Sequence, residues 1–287
     1  MGDPLPYRAL SARLPAGGGT GPFAVHEGQF HRVVVGTDRV ICFARTGAAE
    51  ARLPARAAVL RALSGAGLAF RVPAPLGEPV ARDGDVPPYL VLTRVPGAPL
   101  AAGALRSPAA FEAVARQYAE LLSGLRDAGA ESRTRAVLPP VRAEEWREFA
   151  AGARESLFPL MSAAGRARAE RELTAAEALP PLDGAVVHGD LGAENVLWET
   201  ESGLPRLSGV VDWDEVALGD PAVDLAAVGA SHGDGLLARV RELGGWTDGA
   251  TTDRITAIRG TFALQQALYG LRDGDDAEVA DGLDGYR

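Results

Sequence analysis

The sequence contains no lysine and only one cysteine. All twenty-nine basic residues are arginine, so a site that requires a lysine side chain is excluded. The lone cysteine, Cys42, rules out an internal disulfide and is typical of a reducing compartment. No apolar run approaches the ~20 residues of a membrane-spanning helix. The N-terminus lacks a basic flank followed by an apolar core, so we expect no secretory signal and a cytoplasmic location.

The balance of charge is acidic, with a formal net charge of −9 at pH 7. Binding to a nucleic-acid backbone depends on basic patches, so this balance disfavours nucleic acid and favours a cationic partner. Apolar residues make up 47% and charged residues 23% of the chain, which is typical of a globular protein. We expect neither a membrane nor an obligate protein partner.

Two nearby segments carry the residues suited to chemistry. The first, Val186–Trp198, contains His-Gly-Asp followed by four residues and Asn. The second, Val210–Asp214, is an apolar pair followed by Asp-Trp-Asp. Apolar residues at the end of the first segment and the start of the second predict a β-hairpin. Such a hairpin would bring Asp190 and Asn195 on one loop close to Asp212.

These residue types suit phosphoryl transfer. The transferred group needs Mg²⁺ to neutralise its charge and a carboxylate to orient the attacking hydroxyl and accept its proton. Asp190 fits the carboxylate role. Asn195 and Asp212 offer oxygen ligands of the kind that Mg²⁺ prefers over zinc, and no cluster of cysteine and histidine competes with them.

The motifs resemble the aminoglycoside phosphotransferase family of small-molecule kinases. The residues that carry the resemblance are His-Gly-Asp with its Asn, the Asp212 segment, and Gly-Asp-Pro-x-x-Asp-Leu at Gly219–Leu225. The resemblance implies ATP as phosphoryl donor, with GTP not excluded, and Mg²⁺ as metal. It also implies that His188 supports the catalytic aspartate. Asp220 and Asp224 are read as structural, satisfying N–H groups at a turn and a helix start.

We predict an α+β, two-lobed, protein-kinase-like fold. The nucleotide-binding lobe, residues 1–94, has an antiparallel sheet and one long helix, and the catalytic and substrate-binding lobe, residues 95–287, is mostly helical. Residues 93–100 form the hinge. Patterns of spacing and turn residues predict a helix at 6–14, strands at 23–25, 32–35, 40–43 and 89–92, and helices at 48–63, from 108 onward, 143–161, 165–179, 221–230, 235–243 and 253–271.

Candidates for nucleotide contact come from the first turn and the hinge. The turn after the first strand would let backbone N–H groups approach phosphates, and adenine binds the hinge backbone in the resembling family. The residues are Gly28, Gln29, Phe30, Thr93 and Val95.

The family's ion pair between a strand lysine and a helix glutamate is replaced in this chain. Cys42 stands at the position of the cation and Arg56 at that of the glutamate. Our hypothesis is that Arg56 reaches from the helix to contact the nucleotide phosphates. Arg45 is the rival candidate.

Four further segments resemble the branch of the family that phosphorylates viomycin and capreomycin, namely residues 26–31, 42–45, 211–216 and 260–267. This resemblance includes the Cys/Arg replacement. It implies transfer of the ATP γ-phosphoryl group to a hydroxyl of a basic cyclic peptide antibiotic, on a serine side chain. A cationic acceptor needs carboxylates, and aromatic or amide groups would line the same cleft. The candidates for contact are Asp214, Glu215, Glu145, Trp146 and Gln265, with Glu144, Glu148, Asp275, Asp276, Trp213 and Gln266 as further possibilities.

Two other functions stay open from the sequence alone. One is a kinase for another small molecule, such as an aminoglycoside or a macrolide. The other is a pseudokinase that binds nucleotide or drug without turnover, suggested by the missing Lys and Glu. Retention of Asp190, Asn195 and Asp212 argues against the second function.

Overall fold

A computed structural model describes residues 24–28, 30–140, 142 and 144–287. The helix predicted at 6–14, the first residue of the strand predicted at 23–25, and the nucleotide candidate Gln29 lie outside the described residues. The described chain divides into two compact units. The first contains the chain up to Ala110, Glu131–Leu138 and Glu194–Asp214, and the second contains Phe111–Ala130, Pro139–Ala193 and Glu215–Arg287.

The first unit contains a four-stranded antiparallel sheet in the order β1-β2-β3-β4. The register pairs Val33 with Cys42 and Cys42 with Leu90. Side chains alternate between faces along a strand, and Val34, Ile41 and Phe43 form a buried cluster on this sheet. The strands are β1 (Ala24–Glu27), β2 (His31–Val35), β3 (Arg39–Ala44) and β4 (Tyr89–Thr93).

The long helix of the first unit, α1 (Gly47–Ser64), follows β3. Thr46 caps its start, because the Thr46 hydroxyl accepts a hydrogen bond from the Ala49 N–H at 3.1 Å. Leu53, Leu60 and other apolar residues at helical spacing are buried along one side. The predicted boundaries at 48–63 agree with the helix to within one residue.

The predicted hairpin is present and belongs to the first unit. Its strands, β6 (Val196–Glu201) and β7 (Leu204–Val210), pair antiparallel through a turn at Ser202 and Gly203. The Arg71 backbone lies so close to β7 that a Cβ at Gly209 would be 2.3 Å from the Arg71 carbonyl oxygen. A glycine is therefore required where this segment crosses the strand.

The second unit is mostly helical. Its core packs apolar residues of several helices together with Tyr286, which is 1% exposed. The short helix α3 (Ser132–Arg135) belongs to the first unit, and α2 (Pro108–Ala130) begins three residues before the second unit does. The helices of the second unit are α2, α4 (Glu145–Ser156), α5 (Ala163–Glu177), α6 (Ala222–His232), α7 (Asp234–Gly244), α8 (Gly249–Gly260), α9 (Phe262–Asp273) and α10 (Asp276–Gly282).

The second unit differs from the sequence prediction at several points. The helix predicted at 143–161 ends earlier, since α4 ends at Ser156, and α10 was not predicted. The single helix predicted at 253–271 is wrong, because α8 ends at Gly260 and α9 begins at Phe262. At the break, the buried Thr261 donates its hydroxyl to the Ile258 carbonyl oxygen at 2.6 Å, which competes with the helical backbone pattern. A small sheet was also missed, in which β5 (Ala185–Val187) pairs antiparallel with β8 (Ala217–Gly219).

Candidate active site

The loop that carries Asp190 follows β5 in the second unit. The Asp224 carboxylate on α6 accepts hydrogen bonds from the backbone N–H groups of His188 at 2.8 Å and Gly189 at 3.1 Å. The Asp190 N–H lies 3.2 Å from Nδ1 of His188, which is fully buried. These contacts fix the backbone on the N-terminal side of Asp190, while Asp190 itself is exposed.

Asp224 was predicted to be structural, with a turn or a helix start as the source of its N–H partners. Its two oxygens instead hold the loop that leads to Asp190. Complete burial raises the pKa of Asp224, whereas His188 and the two N–H donors act in the opposite direction.

Asp220 is held by an ion pair and a turn. Its Oδ1 accepts from the Ala222 N–H at 3.0 Å, as the sequence predicted for a residue before a helix. Its Oδ2 lies 2.5 Å from Nε of Arg254, and each of these two side chains is 12% exposed. Arg254 also donates to the Pro180 carbonyl oxygen at 2.8 Å, so the pair connects α8 to two other segments of the second unit.

Asn195 and Asp212 lie at the open end of the hairpin in the first unit, Asn195 just before β6 and Asp212 just after β7. The Val211 N–H donates to the Asn195 carbonyl oxygen at 2.9 Å, which extends the pairing of β6 with β7. Asn195 is 8% exposed, and Asp212 is exposed. The hairpin therefore brings these two oxygen-bearing residues together, as the sequence predicted.

The backbone at Asp212 is unusual. Its φ is +61°, in the left-handed region that a residue with a side chain seldom occupies. The indole of the next residue, Trp213, is 2% exposed and donates to the Val210 carbonyl oxygen at 2.9 Å. Trp213 therefore packs in the core of the turn and does not line the acceptor cleft.

Asp214 has partners within the first unit. Its Oδ1 lies 3.1 Å from Nε of Arg56, and its Oδ2 lies 3.2 Å from Nδ1 of His31. Burial alone would raise the pKa of Asp214, but the His31 hydrogen bond and the charges of Arg56 and Arg52 bring it below its ordinary value. This carboxylate was predicted to contact the acceptor, and the structure gives it a different, internal use.

The turn between β1 and β2 is closed by its own backbone. The Gly28 N–H donates to the His31 carbonyl oxygen at 2.9 Å, so this N–H is not directed at a phosphate group. The Arg45 guanidinium donates to the Gly28 carbonyl oxygen, and the Arg45 backbone N–H donates to the Phe30 carbonyl oxygen at 3.0 Å. Arg45 is thus an exposed side chain bound to the turn itself.

The hinge candidates have different surroundings. The Thr93 N–H donates to the Ala74 carbonyl oxygen at 2.8 Å, and its hydroxyl accepts from the Ala74 N–H at 2.9 Å. Those two Thr93 groups are occupied by the chain. The Val95 side chain is buried, at 6% exposure.

Two of the carboxylates predicted to bind a cationic acceptor, Glu145 and Glu215, interact with each other in the second unit. Partial burial and the Glu215 carboxylate raise the pKa of Glu145. Partial burial and Glu215 also raise the pKa of Tyr269, and the Glu145 and Asp190 carboxylates act in the same direction. Glu215, Glu145 and Asp190 therefore each lie within electrostatic reach of Tyr269. Tyr269, 53% exposed, is a residue that the sequence analysis missed.

Other acceptor candidates are engaged elsewhere. The Gln265 amide donates to the Thr261 hydroxyl at 2.8 Å. Gln266 donates to Glu278 and Asp281 on α10, and Asp275 caps that helix. Trp146 is half-buried and packs edge-on against Phe149, with 6.1 Å between ring centroids. Helical spacing places Gln265 and Thr261 in contact, a signal that was present in the sequence.

Residues 24–255 match the model of the phosphotransferase enzyme family, abbreviated APH. The chain belongs to this family. This phosphotransferase is 66% identical over 281 residues to viomycin phosphotransferase of Streptomyces vinaceus, and the alignment covers 98% of each chain. The family resemblance inferred from the motifs is therefore confirmed.

Solved structures show the fold of this phosphotransferase. A complex of APH(2")-IIia with GDP and kanamycin is similar to it at a TM-score of 0.84 and 19% identity, covering 98% of this chain and 97% of the other. A macrolide 2'-phosphotransferase type I is similar at a TM-score of 0.70 and 22% identity, covering 99% and 96%. These likenesses confirm the predicted kinase-like α+β fold.

The donors available to a metal in this phosphotransferase are oxygen atoms. Within the described ranges, no group of three or more histidine, cysteine, aspartate or glutamate residues could hold a metal ion. Mg²⁺ usually takes one or two protein ligands and completes its octahedron with water and substrate phosphates. Asn195 and Asp212 fit that requirement. Among the helices of the described residues, none is long and apolar enough to cross a membrane.

Proposed function

We propose that this chain transfers the γ-phosphoryl group of ATP to a hydroxyl group of a basic cyclic peptide antibiotic of the tuberactinomycin class, such as viomycin or capreomycin. The observation that carries the proposal is the 66% identity to viomycin phosphotransferase along 98% of both chains. The acidic net charge of −9 and the carboxylates near Asp190 are consistent with a cationic acceptor.

Asp190 is proposed as the catalytic residue that orients the acceptor hydroxyl and takes its proton. Its exposure leaves the carboxylate accessible, while Asp224 and His188 fix the backbone that precedes it. A fixed backbone limits the positions of the carboxylate, which is what a proton acceptor needs.

Asn195 and Asp212 are proposed to hold Mg²⁺ through their side-chain oxygens. When bound, the metal would neutralise charge on the phosphate groups of the nucleotide. We propose that Arg56 contacts the nucleotide phosphates, with Arg45 as the rival cation. Gln29 and Phe30 of the first turn and Val95 of the hinge are further proposed contacts, whereas the Gly28 N–H and the two Thr93 groups described above bond within the chain.

Glu145 and Glu215 are proposed to bind the cationic groups of the acceptor, and Trp146 to contact its peptide ring. Burial raises the pKa of Glu145, and the nearby Glu215 carboxylate raises it further, so two like charges are held near one another. A cationic ligand would relieve that repulsion.

The test is mass spectrometry of viomycin, capreomycin, an aminoglycoside and a macrolide after incubation with the protein, Mg²⁺ and either ATP or GTP. We expect one phosphoryl group added to each cyclic peptide with ATP, and fragmentation should locate it on a serine side chain. Modification of only the aminoglycoside or the macrolide would refute the proposed acceptor. Nucleotide binding without any product would favour a pseudokinase.

The assignment of Asp190 is tested with Asp190→Asn. Removing a general base typically lowers turnover by about 10²–10⁴-fold. The matched control is Glu194→Gln, which removes an exposed carboxylate four residues further along the same loop and should leave turnover unchanged. If Asp190→Asn keeps full turnover, Asp190 is not the proton acceptor.

A further inference from the structure

The first unit contains a largely buried cluster of three polar side chains from three separate segments: His31 on β2, Arg56 on α1 and Asp214 after β7. Side-chain exposure is 9% for His31, 13% for Arg56 and 22% for Asp214. Nη1 of Arg56 lies 2.9 Å from Nδ1 of His31, and Nε of Arg56 lies 3.1 Å from Oδ1 of Asp214.

The cluster lies beside Cys42 on β3. Cys42 is 2% exposed, and burial raises the pKa of its thiol, so it is a neutral side chain at this position. The charges of Arg56, Asp214 and Asp212 all act on the thiol. Protein kinases place a lysine on the third strand and pair it with a helix glutamate. Here the strand position is neutral, and the nearby cation is Arg56.

A buried ion pair is weak evidence for stability, because removing both charges from water costs about as much as their attraction returns. The geometry of this pair is also imperfect. Nε of Arg56 is buried and within ion-pair distance of Asp214, yet it has no hydrogen-bond partner among the described residues. A largely buried and imperfectly paired cluster that contributes little to stability points to a use in binding.

We propose that Asp214 is a positioning residue that holds Arg56 against the phosphate groups of the nucleotide. The Arg56–Asp214 pair then replaces the pair of strand lysine and helix glutamate, with the cation moved to α1 and the acid moved to the turn after β7. Asp214 thus acts on the nucleotide and not on the acceptor. This inference rests on the proposed function, in which Arg56 contacts phosphate.

The turn after β7 explains why Asp214 suits this role. Asp212, the proposed metal ligand, lies two residues before Asp214, and buried Trp213 anchors the segment between them to Val210. The same turn therefore carries the proposed metal ligand and, two residues later, the carboxylate that would hold a cation for the phosphates. A guanidinium suits phosphate because it offers several N–H donors in a planar arrangement.

The experiment measures the affinity of the full-length protein for adenosine, ADP and ATP by calorimetry, without acceptor. We expect Asp214→Asn and Arg56→Gln each to weaken ADP and ATP about tenfold, the effect of roughly one charge-assisted hydrogen bond. Adenosine affinity should not change, because adenosine lacks phosphate. A purely structural role for the pair would weaken all three ligands.

The double variant Arg56→Gln/Asp214→Asn tests whether Asp214 acts through Arg56. We expect the double variant to bind ATP no more weakly than Arg56→Gln alone, since Asp214 has nothing left to position. Additive losses would overturn the proposal. The conservative variant Asp214→Glu should retain most of the parent affinity.

The matched control is Asp38→Asn in the same unit, which removes a carboxylate paired with Arg39 at 2.9 Å. It should leave every affinity unchanged. If Asp214→Asn fails to fold, Arg56→Lys gives the same test, because it keeps the charge and loses the planar donors. Under the proposal, Arg56→Lys weakens ADP and ATP but not adenosine, and equal loss for all three ligands overturns it.

Steady-state kinetics separate this inference from the proposed function. Under the inference, Asp214→Asn raises KM for ATP and leaves KM for viomycin unchanged, and the reverse pattern makes Asp214 an acceptor contact and overturns it. If the parent protein phosphorylates no cyclic peptide but the pair controls ATP affinity, the acceptor assignment fails and the role of Asp214 stands.

Discussion

Gly189 adopts a φ of +86°, and a Cβ there would lie 2.7 Å from the carbonyl oxygen of Glu215. Two separate effects therefore require glycine immediately before Asp190. The left-handed backbone costs about 1–2 kcal/mol for a residue with a side chain, and the close contact adds a steric cost. The Gly in His-Gly-Asp is thus explained by packing against the turn before β8.

We expect Gly189→Ala to lower turnover and stability together, because the loop must move to relieve the contact. The control is Gly203→Ala at the tip of the β6–β7 hairpin, where φ is +80° and no atom lies within 4 Å of the added Cβ. That variant should lose only the ~1–2 kcal/mol of backbone cost and keep its turnover. Urea unfolding and initial rates measure both quantities, and equal behaviour of the two variants would refute the packing argument.

Glu145 has a raised pKa, so it takes up a proton at a higher pH than an ordinary glutamate. Its negative charge is present above that pKa and is lost as pH falls through it. If Glu145 binds the cationic acceptor, KM for viomycin should rise as pH is lowered from neutral, and the rise should begin above the pH at which an ordinary glutamate takes up its proton.

The variant Glu145→Gln should raise KM for viomycin at neutral pH and flatten its rise toward acid. Glu155→Gln, an exposed residue of the same helix, should keep the parent profile. Identical pH profiles for the parent and Glu145→Gln would show that Glu145 does not contribute to acceptor binding.

At the scale of elements, the start of α5 packs directly on the C-terminal turn of the second unit. The Tyr286 carbonyl oxygen accepts from the Ser162 N–H at 3.0 Å, and the Tyr286 hydroxyl donates to Glu172 at 2.6 Å. Arg168 lies over the Tyr286 ring, 4.6 Å from its centroid. These contacts join two segments that are distant in sequence.

The variant Gly165→Ala tests this junction, because a Cβ there would lie 1.8 Å from the Tyr286 carbonyl oxygen. We expect a loss of about 1–3 kcal/mol in the free energy of unfolding, the usual cost of overpacking. Gly249→Ala, in open space at the start of α8, should change stability by less than about 0.5 kcal/mol. Chemical denaturation compares them, and equal stabilities would contradict the close packing.

At the scale of the whole molecule, the net charge of −9 has opposite consequences for the two proposed substrates. A cationic peptide is attracted to an acidic protein, whereas ATP is repelled by it, and salt screens both effects. Raising the salt concentration from about 20 mM to about 200 mM shortens the Debye length from ~20 Å to ~7 Å.

We therefore expect kcat/KM for viomycin to fall over this salt range, while kcat/KM for ATP holds constant or rises. Initial rates at matched ionic strength measure both values. A parallel fall for the two substrates would indicate a general salt effect on the enzyme and would contradict electrostatic attraction of the acceptor.

The sequence alone predicted the features that depend on short stretches of chain. The sheet strands, α1 and the hairpin follow local alternation, helical spacing and turn residues, and the motifs with Asp190, Asn195 and Asp212 are contiguous. From the sequence we predicted a single domain boundary after residue 94. The two compact units of the structure are instead discontinuous in sequence, and the β6–β7 hairpin belongs to the first unit. A discontinuous unit has no signature in local composition.

The tertiary structure decided which groups distant in sequence meet. The sequence indicated a structural role for Asp224 but not its partner, which is the loop before Asp190. Asp214 was predicted to contact the acceptor and instead pairs with Arg56. The sequence determined which chemical groups the protein possesses and the loops that carry them. Only folding determined the partners of each charged group. The strength of a charge pair depends on distance and burial, and both are set when segments far apart in the chain pack against each other.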